Sequence, residues 1–524
     1  MSMEFLQLCQ TLVFGLLVAL LLFCLCIVLF YFWVSPIFAL YKLRRNGFGG
    51  PTPSFPLGNI REMMKINRSS SSGSSLDHIS HDIRSTVFPY FNQWRKSHGS
   101  VFAYWLGTEP FLYIADAGFL QKMTSGVLGK DWGKPNVFKY DRQPLFGNGL
   151  VMVEGHDWVR HRHVIIPALS PANLKPMASL MVESTTTMLE KWSTFIASGN
   201  SSSSEIEIEK EITAMSGEII AKISFGTSHE NHNIKVFEKL RALQFNLFGS
   251  NRYVGIPFSK LISIKQTLKA RKLGKEIDSL ILSIIDERRR SDGGYSQWDL
   301  LGFLLKKTDM DGQQVGKTLT TRELVDECKT FFFGGHETTA LAITWTLLLL
   351  ALHPNWQDQL REEIKCVMGD GELDLIKLSA LKKLGWVMSE VLRLYPSAPN
   401  VQRQAREDIQ VDGMIIPKGT NIWIDVVAMN HDPVLWGEDV HQFKPERFKE
   451  DINGGCNHKM GFVPFGFGGR MCVGRNLSVM EYKVVLTLAL SRFSFSVSPN
   501  YCHSPTTMLS LRPSNGLPLI VKPL

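Results

Sequence analysis

The sequence predicts a mainly α-helical domain with small β-sheets, tethered by a single-pass N-terminal membrane anchor. Three observations carry that expectation. One apolar run near the start is long enough to cross a bilayer, long stretches of the remainder repeat apolar residues at helical spacing, and strand-like alternation is confined to short pieces. A chain of 524 residues could hold about three domains at ~150 residues each, but no linker or internal repeat divides it. With 44% hydrophobic and 20% charged residues it is neither disordered nor collagen-like. The net charge of +8 is mild and not gathered into a run, which suits an anionic membrane face or an acidic protein partner and argues against nucleic acid.

The anchor comes first. No charged residue lies between Phe5 and Tyr41, and Leu12 to Val34 is almost unbroken apolar sequence. A membrane-spanning helix needs ~20 such residues. A cleaved signal peptide fits less well, because Glu4 stands where a signal carries positive charge and bulky Tyr31, Phe32 and Trp33 fill the cleavage region. Lys42, Arg44 and Arg45 follow, so the positive-inside rule puts the N-terminus in the lumen and the remainder in the cytosol. Residues 1–45 are thus the anchor with its basic stop-transfer, 46–60 a stiff Gly/Pro hinge, and 61–524 one body.

Within that body, helical spacing marks 175–198, 206–225, 264–290, 321–352, 355–368 and 378–395, while strands are expected near 101–115, 409–425 and the last twenty residues. The apolar stretch 341–352 is too short for a second span and reads as a buried helix. The eight cysteines form no CxxC pair, which excludes a zinc module and a disulfide framework. Gly312 to Thr318 misses a phosphate loop by one residue, and His336-Glu337 lacks the second histidine of a zinc-protease motif because position 340 is Ala.

One motif survives. Phe465, Gly468, Arg470, Cys472 and Gly474 fill the five fixed positions of F-x-x-G-x-R-x-C-x-G, a match expected in about 3 in 10,000 chains of this composition. Here the sequence resembles the cytochrome P-450 superfamily of haem-thiolate monooxygenases. Within it, 327–339 and 390–405 look like microsomal plant members of the seventy-two clan. The chemistry accounts for the spacing. A thiolate beside a helix N-terminus is stabilised by the dipole and by loop amides, and glycines let the backbone approach a flat cofactor.

The resemblance implies the α-rich cytochrome P-450 fold for 61–524, with haem b as cofactor and Cys472 as its axial iron ligand. Phe465, Gly468 and Gly474 would shape the loop, and Arg470 would pair with a haem propionate, as would Trp158 and Arg162 (W-x-x-x-R) and Arg403. Glu390 and Arg393 in E-x-x-R, with Arg447, would form a structural core network. Alone, that pattern carries little, since Glu238/Arg241 and Glu287/Arg290 repeat it. Gly334-Gly335-His336-Glu337-Thr338-Thr339 matches the family's oxygen-activation pattern, with Thr338 and Glu337 delivering protons. Two mid-helix glycines cost roughly 1 kcal/mol each, a cost accepted if the backbone must open there.

The resemblance also implies dioxygen as co-substrate, electrons from NADPH through NADPH–cytochrome P-450 reductase, and an endoplasmic reticulum membrane setting. Aligned motif positions put a substrate pocket at Phe138, Phe245, Phe248, Phe332, Val401 and Met508, an apolar lining suited to a rigid hydrophobic molecule such as a gibberellin-like diterpenoid, a cytokinin or another terpenoid. A fatty-acid hydroxylase stays open, as does a membrane haem- or ligand-binding protein without turnover. A rearrangement enzyme that needs no dioxygen would depart from the threonine pattern, which is intact here.

Overall fold

Helix begins at the third residue and continues to the end of the stop-transfer segment, as α-helix over Met3–Leu29, a π turn over Phe30–Val34 and α-helix over Ser35–Arg45. This computed structural model describes residues 3–70, 79–124, 132–199, 202–226, 230–248, 254–259, 264–290, 299–310, 318–369 and 373–524. The apolar window of Gln7–Arg45 is 0% buried, whereas Thr321–Leu352, the other helix long and apolar enough to span, is 83% buried. A helix apolar all round and uncovered by protein suits lipid; one covered by protein belongs to the core. The stretch 341–352 is therefore core, as its length requires.

The expected hinge is docked rather than free. Phe48 is buried, Ala103 N donates to Gly49 O at 2.7 Å and Asn59 N to Trp105 O at 3.0 Å. Asn59 Oδ1 accepts in turn from Trp105 N at 2.9 Å. The segment rides on strand β1, Val101–Leu106.

Five strands form the largest sheet, in the order β1, β2 (Glu109–Ile114), β8 (Asn421–Asp425), β5 (Asn400–Ala405) and β3 (Trp132–Gly133). Among the described residues only β2 and β8 run parallel. A three-stranded sheet joins β4 (Ser204–Glu207), β12 (Pro518–Pro523) and β9 (Phe493–Val497). Two hairpins complete the β structure, β6 (Ile409–Val411) with β7 (Met414–Ile416), and β10 (Pro505–Met508) with β11 (Ser510–Pro513). The region expected as strand over 409–425 is thus a hairpin plus β8.

Helices fill the remainder. Those expected from periodicity appear as Pro171–Ser198, Ile208–Phe225, Ile264–Arg290, Thr321–Leu352, Pro354–Met368 and Lys382–Leu394. The last starts later than 378 because Lys377–Ala380 is a 3-10 turn. Four further helices frame the site: a roof helix Asn136–Phe146, a tryptophan helix Gly155–Ile165, Glu230–Phe248, and a cysteine helix Arg475–Arg492. The near-match to a phosphate loop lies almost wholly outside the described residues.

The central helix Thr321–Leu352 organises the body. Its start is fixed by a capping box, in which Glu323 N donates to Thr320 Oγ1 at 3.2 Å and Thr320 N donates to Glu323 Oε2 at 2.8 Å. Its end is set by Pro354, which opens the next helix. Gly335 packs against Ile220 of helix Ile208–Phe225, where a Cβ would collide with that side chain.

A second contact, deeper in, links three helices. Glu481 is buried with Ser216 Oγ at 2.5 Å from its carboxyl, and Ser216 Oγ also lies 3.1 Å from His336 O. Burial pushes Glu481 up to about 8, with Ser216 opposing. The serine has one proton, so the neutral acid donates to Ser216 and Ser216 to the carbonyl. An acid whose pKa is raised on folding contributes stability that is lost as pH climbs from its unfolded value through about 8. Glu481→Gln should therefore melt higher than wild type at pH 8.5 and converge with it at pH 5. Parallel melting curves for both proteins from pH 5 to 9 would contradict this.

Candidate functional site

The cysteine loop holds its shape through backbone. Gly466 N donates to Val463 O at 2.9 Å, Met471 N to Gly468 O at 3.1 Å and Cys472 N to Phe465 O at 2.9 Å. Gly468 sits at φ +62, which a β-carbon would strain, and opens the 3-10 turn Gly468–Arg470. Gly474 caps the cysteine helix, so its N-terminal end points at the thiol. Cys472 presents accessible surface, yet protein crowds it on most sides. Burial raises its thiol, opposed by the Gly474 amide, Arg162 and Arg475.

The Gly334–Thr339 segment of the central helix is tied to the loop's helix, since Thr339 Oγ1 lies 2.9 Å from Ser478 Oγ and Ser478 N donates to Gly474 O at 2.9 Å. Gly334 is exposed although most of its neighbours are buried, and a Cβ there would meet nothing within 4 Å. Thr338 Oγ1 donates to Gly334 O at 3.0 Å. The helix runs unbroken through the glycine pair, as the helical spacing over 321–352 predicts. Gly335 is required by packing, and only Gly334 opens space.

Glu337 is buried and fully engaged. Arg512 Nη2 lies 2.7 Å from its carboxylate and Gln244 Nε2 donates at 2.6 Å. Burial raises its pKa, with Arg512 and Gln244 pulling back. Ser397 Oγ donates to Thr338 O at 2.8 Å and Leu511 N to Ser397 O at 3.1 Å, so the segment leading into β5 and strand β11 are anchored beside the threonine. Gln244, Ser397 and Arg512 lie outside any local motif; only folding assembles them.

A field of cations lies beside the loop. The Arg470 and Arg162 guanidinium carbons lie 4.7 and 5.7 Å from the Trp158 ring. Arg162 Nη1 donates to Met471 O at 2.9 Å and Arg470 Nη2 to Val153 O at 2.9 Å. Burial, reinforced by Arg470, draws Arg403 down to about 10; burial does the same to Arg470. Lys134, which the sequence did not single out, is drawn well below its usual range by burial and by Arg403, Arg142 and Arg470. Among the described residues no carboxylate forms an ion pair with Arg162, Arg403, Arg470 or Lys134. Half-buried cations crowded together, with Glu154 the carboxylate nearest Lys134 and Arg470 and itself paired with Arg406 and Lys139, fit a group that brings its own anions. Together with an accessible thiol on one face and the open space at Gly334, they fit an iron porphyrin with two propionates.

Glu390, Arg393 and Arg447 lie together in the structure. Arg393 Nε and Nη2 donate to Glu390 at 2.7 and 2.8 Å, and Arg447 Nε lies 3.6 Å from the same carboxylate while its Nη2 pairs with Asp439 at 2.6 Å. Beyond the expected set, His161 Nδ1 lies 2.5 Å from Glu327 Oε1, which ties the tryptophan helix to the central helix.

The six expected pocket residues divide. Phe138 of the roof helix and Phe248 come together around Arg142, whose guanidinium carbon is 4.4 and 5.7 Å from their rings. Val401 and Met508 are half-buried on β5 and β10. Phe332 does not line a chamber: it is buried between Phe225 and Phe237, at ring distances of 6.0 and 5.9 Å. Phe245, one turn before Phe248 on the same helix, is 66% exposed.

Comparison with known proteins gives a consistent result. A family model described as Cytochrome P450 matches residues 77–520. The chain is 36% identical to a cytokinin hydroxylase of Arabidopsis thaliana over 501 residues, 94% of each chain. It is also 36% identical to cytochrome P450 714C2 of Oryza sativa subsp. japonica, over 95% of this chain and 97% of the relative. Cytochrome P450 709B1 of Arabidopsis thaliana is 36% identical over 92% and 93%.

Proposed function

The chain belongs to the cytochrome P450 family of haem-thiolate monooxygenases, and from that premise we propose that it oxygenates a rigid, hydrophobic, hormone-like small molecule at the cytosolic face of the endoplasmic reticulum membrane. Family membership implies haem b, dioxygen and electrons from NADPH through a reductase. The similarity to a cytokinin hydroxylase and the aromatic roof of Phe138 and Phe248 favour a cytokinin or terpenoid over a fatty acid. The uncovered anchor helix and the basic residues Lys42, Arg44 and Arg45 after it support a lumenal N-terminus and a cytosolic body spanning 61–524.

The observation that carries the reading is the juxtaposition of Cys472 with the Gly334–Thr338 turn, through the Thr339–Ser478 contact. Haem iron held by Cys472 supplies the dioxygen-activating centre. Arg162, Arg403, Arg470 and Lys134 would neutralise its propionates, with Trp158 as the platform against which Arg470 and Arg162 lie. Phe465, Gly468 and Gly474 keep the loop that would hold it tight. Gly334 leaves room above, and Thr338, already donating to the Gly334 carbonyl, offers its oxygen lone pairs to that space. Glu337, its pKa raised by burial, holds a proton more readily than a surface glutamate. Rotation away from Arg512 would let it reload Thr338 from solvent.

A spin-state titration tests the reading. Purified holoprotein scanned against cytokinins, gibberellins, brassinosteroids, other terpenoids and fatty acids should give a saturable low- to high-spin shift with one of the hormone or terpenoid classes. The Thr338→Ala protein should keep that shift but lose about tenfold or more of its product per NADPH, the missing electrons appearing as hydrogen peroxide. A shift with fatty acids alone would overturn the substrate class, and full product yield from Thr338→Ala would remove Thr338 from proton delivery.

A further inference from the structure

The roof helix Asn136–Phe146 is fastened at its C-terminal end in a way the oxygenation chemistry does not need. Its last turn gives way to Gly147, at φ +51, then Asn148 and Gly149. Asn148 N donates to Asp326 Oδ2 on the central helix at 2.9 Å. A Cβ on Gly147 would strike the Asp326 carboxylate, and one on Gly149 would strike Thr330 Oγ1 and come within 2.7 Å of Asp326 O. The loop therefore lies flush on the helix only because both flanking residues are glycine.

Asp326 is itself locked. It pairs with Arg322 Nη2 at 2.5 Å and Lys329 Nζ at 2.9 Å. Those two cations also pair with Asp278, at 2.7 and 2.8 Å, on helix Ile264–Arg290. Lys329 is 1% and Asp326 2% exposed. The same helix grips the roof a second time, at Gly274, where a Cβ would lie 3.2 Å from Pro144. Four charges thus join two helices into one frame, and the roof is fixed to both. Buried ion pairs are a poor source of net stability, but removing one member leaves the others uncompensated, so they hold position well.

We infer that Asp326 is a positioning residue for ligand selection: it latches the roof, with Phe138 and Arg142, at a set height over the haem site, so that bulky ligands are recognised by a preformed chamber. The role rests on the monooxygenase reading above. Asp326 touches neither the cysteine loop nor Thr338, so unlatching alters selection without altering haem binding.

Two azoles that ligate haem iron whatever the native substrate separate the possibilities: imidazole, which is small, and clotrimazole, which must fit beneath the roof. In the holoenzyme, Asp326→Asn and Gly149→Ala should each weaken clotrimazole about tenfold and imidazole less than about twofold, because an unlatched roof must be ordered on binding. Amide exchange at Asn148 should quicken about tenfold in Asp326→Asn, with distant core amides unchanged. Both variants should keep the red-shifted Soret band of the reduced carbonyl complex. Asp299→Asn, which breaks the buried Arg288–Asp299 pair (2.7 Å), supplies a destabilised control with an intact latch. Unchanged or tighter clotrimazole binding in both variants, or an equal loss in Asp299→Asn, would overturn the inference. A wild-type protein without that Soret band would instead overturn the monooxygenase reading on which it rests.

Discussion

Arg393→Met is expected to leave almost no recoverable haem protein. Arg393 is wholly buried, and each edge of its guanidinium is used. Two bonds go to Glu390, Nη1 donates to Asn430 O at 3.1 Å and Val440 O at 2.7 Å, and Nη2 donates to Gln442 O at 3.2 Å. Trp436 lies against it, 5.1 Å from ring centre to guanidinium carbon. A methionine of similar volume would leave Glu390 charged and largely unpaired and three carbonyls without donors. Breaking a buried pair costs about 3–5 kcal/mol, against a whole-domain stability of about 5–15 kcal/mol. The carbonyls that Arg393 gathers belong to the segment leading to the cysteine loop, so haem incorporation should fail together with folding. Arg393→Lys should do somewhat better and still melt well below wild type, because an ammonium cannot reproduce the two-pronged contact. The haem-to-protein ratio and urea midpoints of the three proteins check this; wild-type values for Arg393→Met would show the network to be dispensable.

Cys472→Ser should have the opposite profile, a folded protein with the wrong chemistry. The loop bonds around position 472 run between backbone groups, so the thiol is not needed to shape it. The variant should melt within about 1 kcal/mol of wild type as apoprotein, as substitutions outside the core usually do. Its reduced carbonyl complex should lose the red-shifted Soret band, and product formation should vanish, because a neutral hydroxyl cannot donate electron density as a thiolate does. A band unchanged in position would mean that another residue ligates the iron.

What could be read before folding follows from how each feature is encoded. The cysteine loop and E-x-x-R are local strings whose spacing is the chemistry, and all their members occupy related places in the structure. β5 shows the reverse. Its sequence, Asn-Val-Gln-Arg-Gln-Ala, offers no apolar alternation, because Gln402 and Gln404 are buried along with Ala405 while Val401 and Arg403 are only half-buried. Gln404 can be buried because Asn421 Oδ1 accepts from it at 2.9 Å, a partner that exists only after β5 pairs with β8. Phe332 is buried between Phe225 and Phe237 for a related reason: hydrophobicity announces that a side chain leaves water, not which neighbour receives it.

By itself, then, the sequence determined the anchor, the mainly helical class and the local strings of the cysteine loop, the threonine segment and E-x-x-R, since each depends on residues close in the chain. Only the tertiary structure decided that the hinge is docked on β1, that Gly335 serves packing while Gly334 opens space, and that Lys134 joins the cation field. It also placed Arg512 and Gln244 on Glu337, and Asp326 beneath the roof. Each of those is a contact between distant segments, and its energy depends on burial and on partners that exist only once the chain has folded.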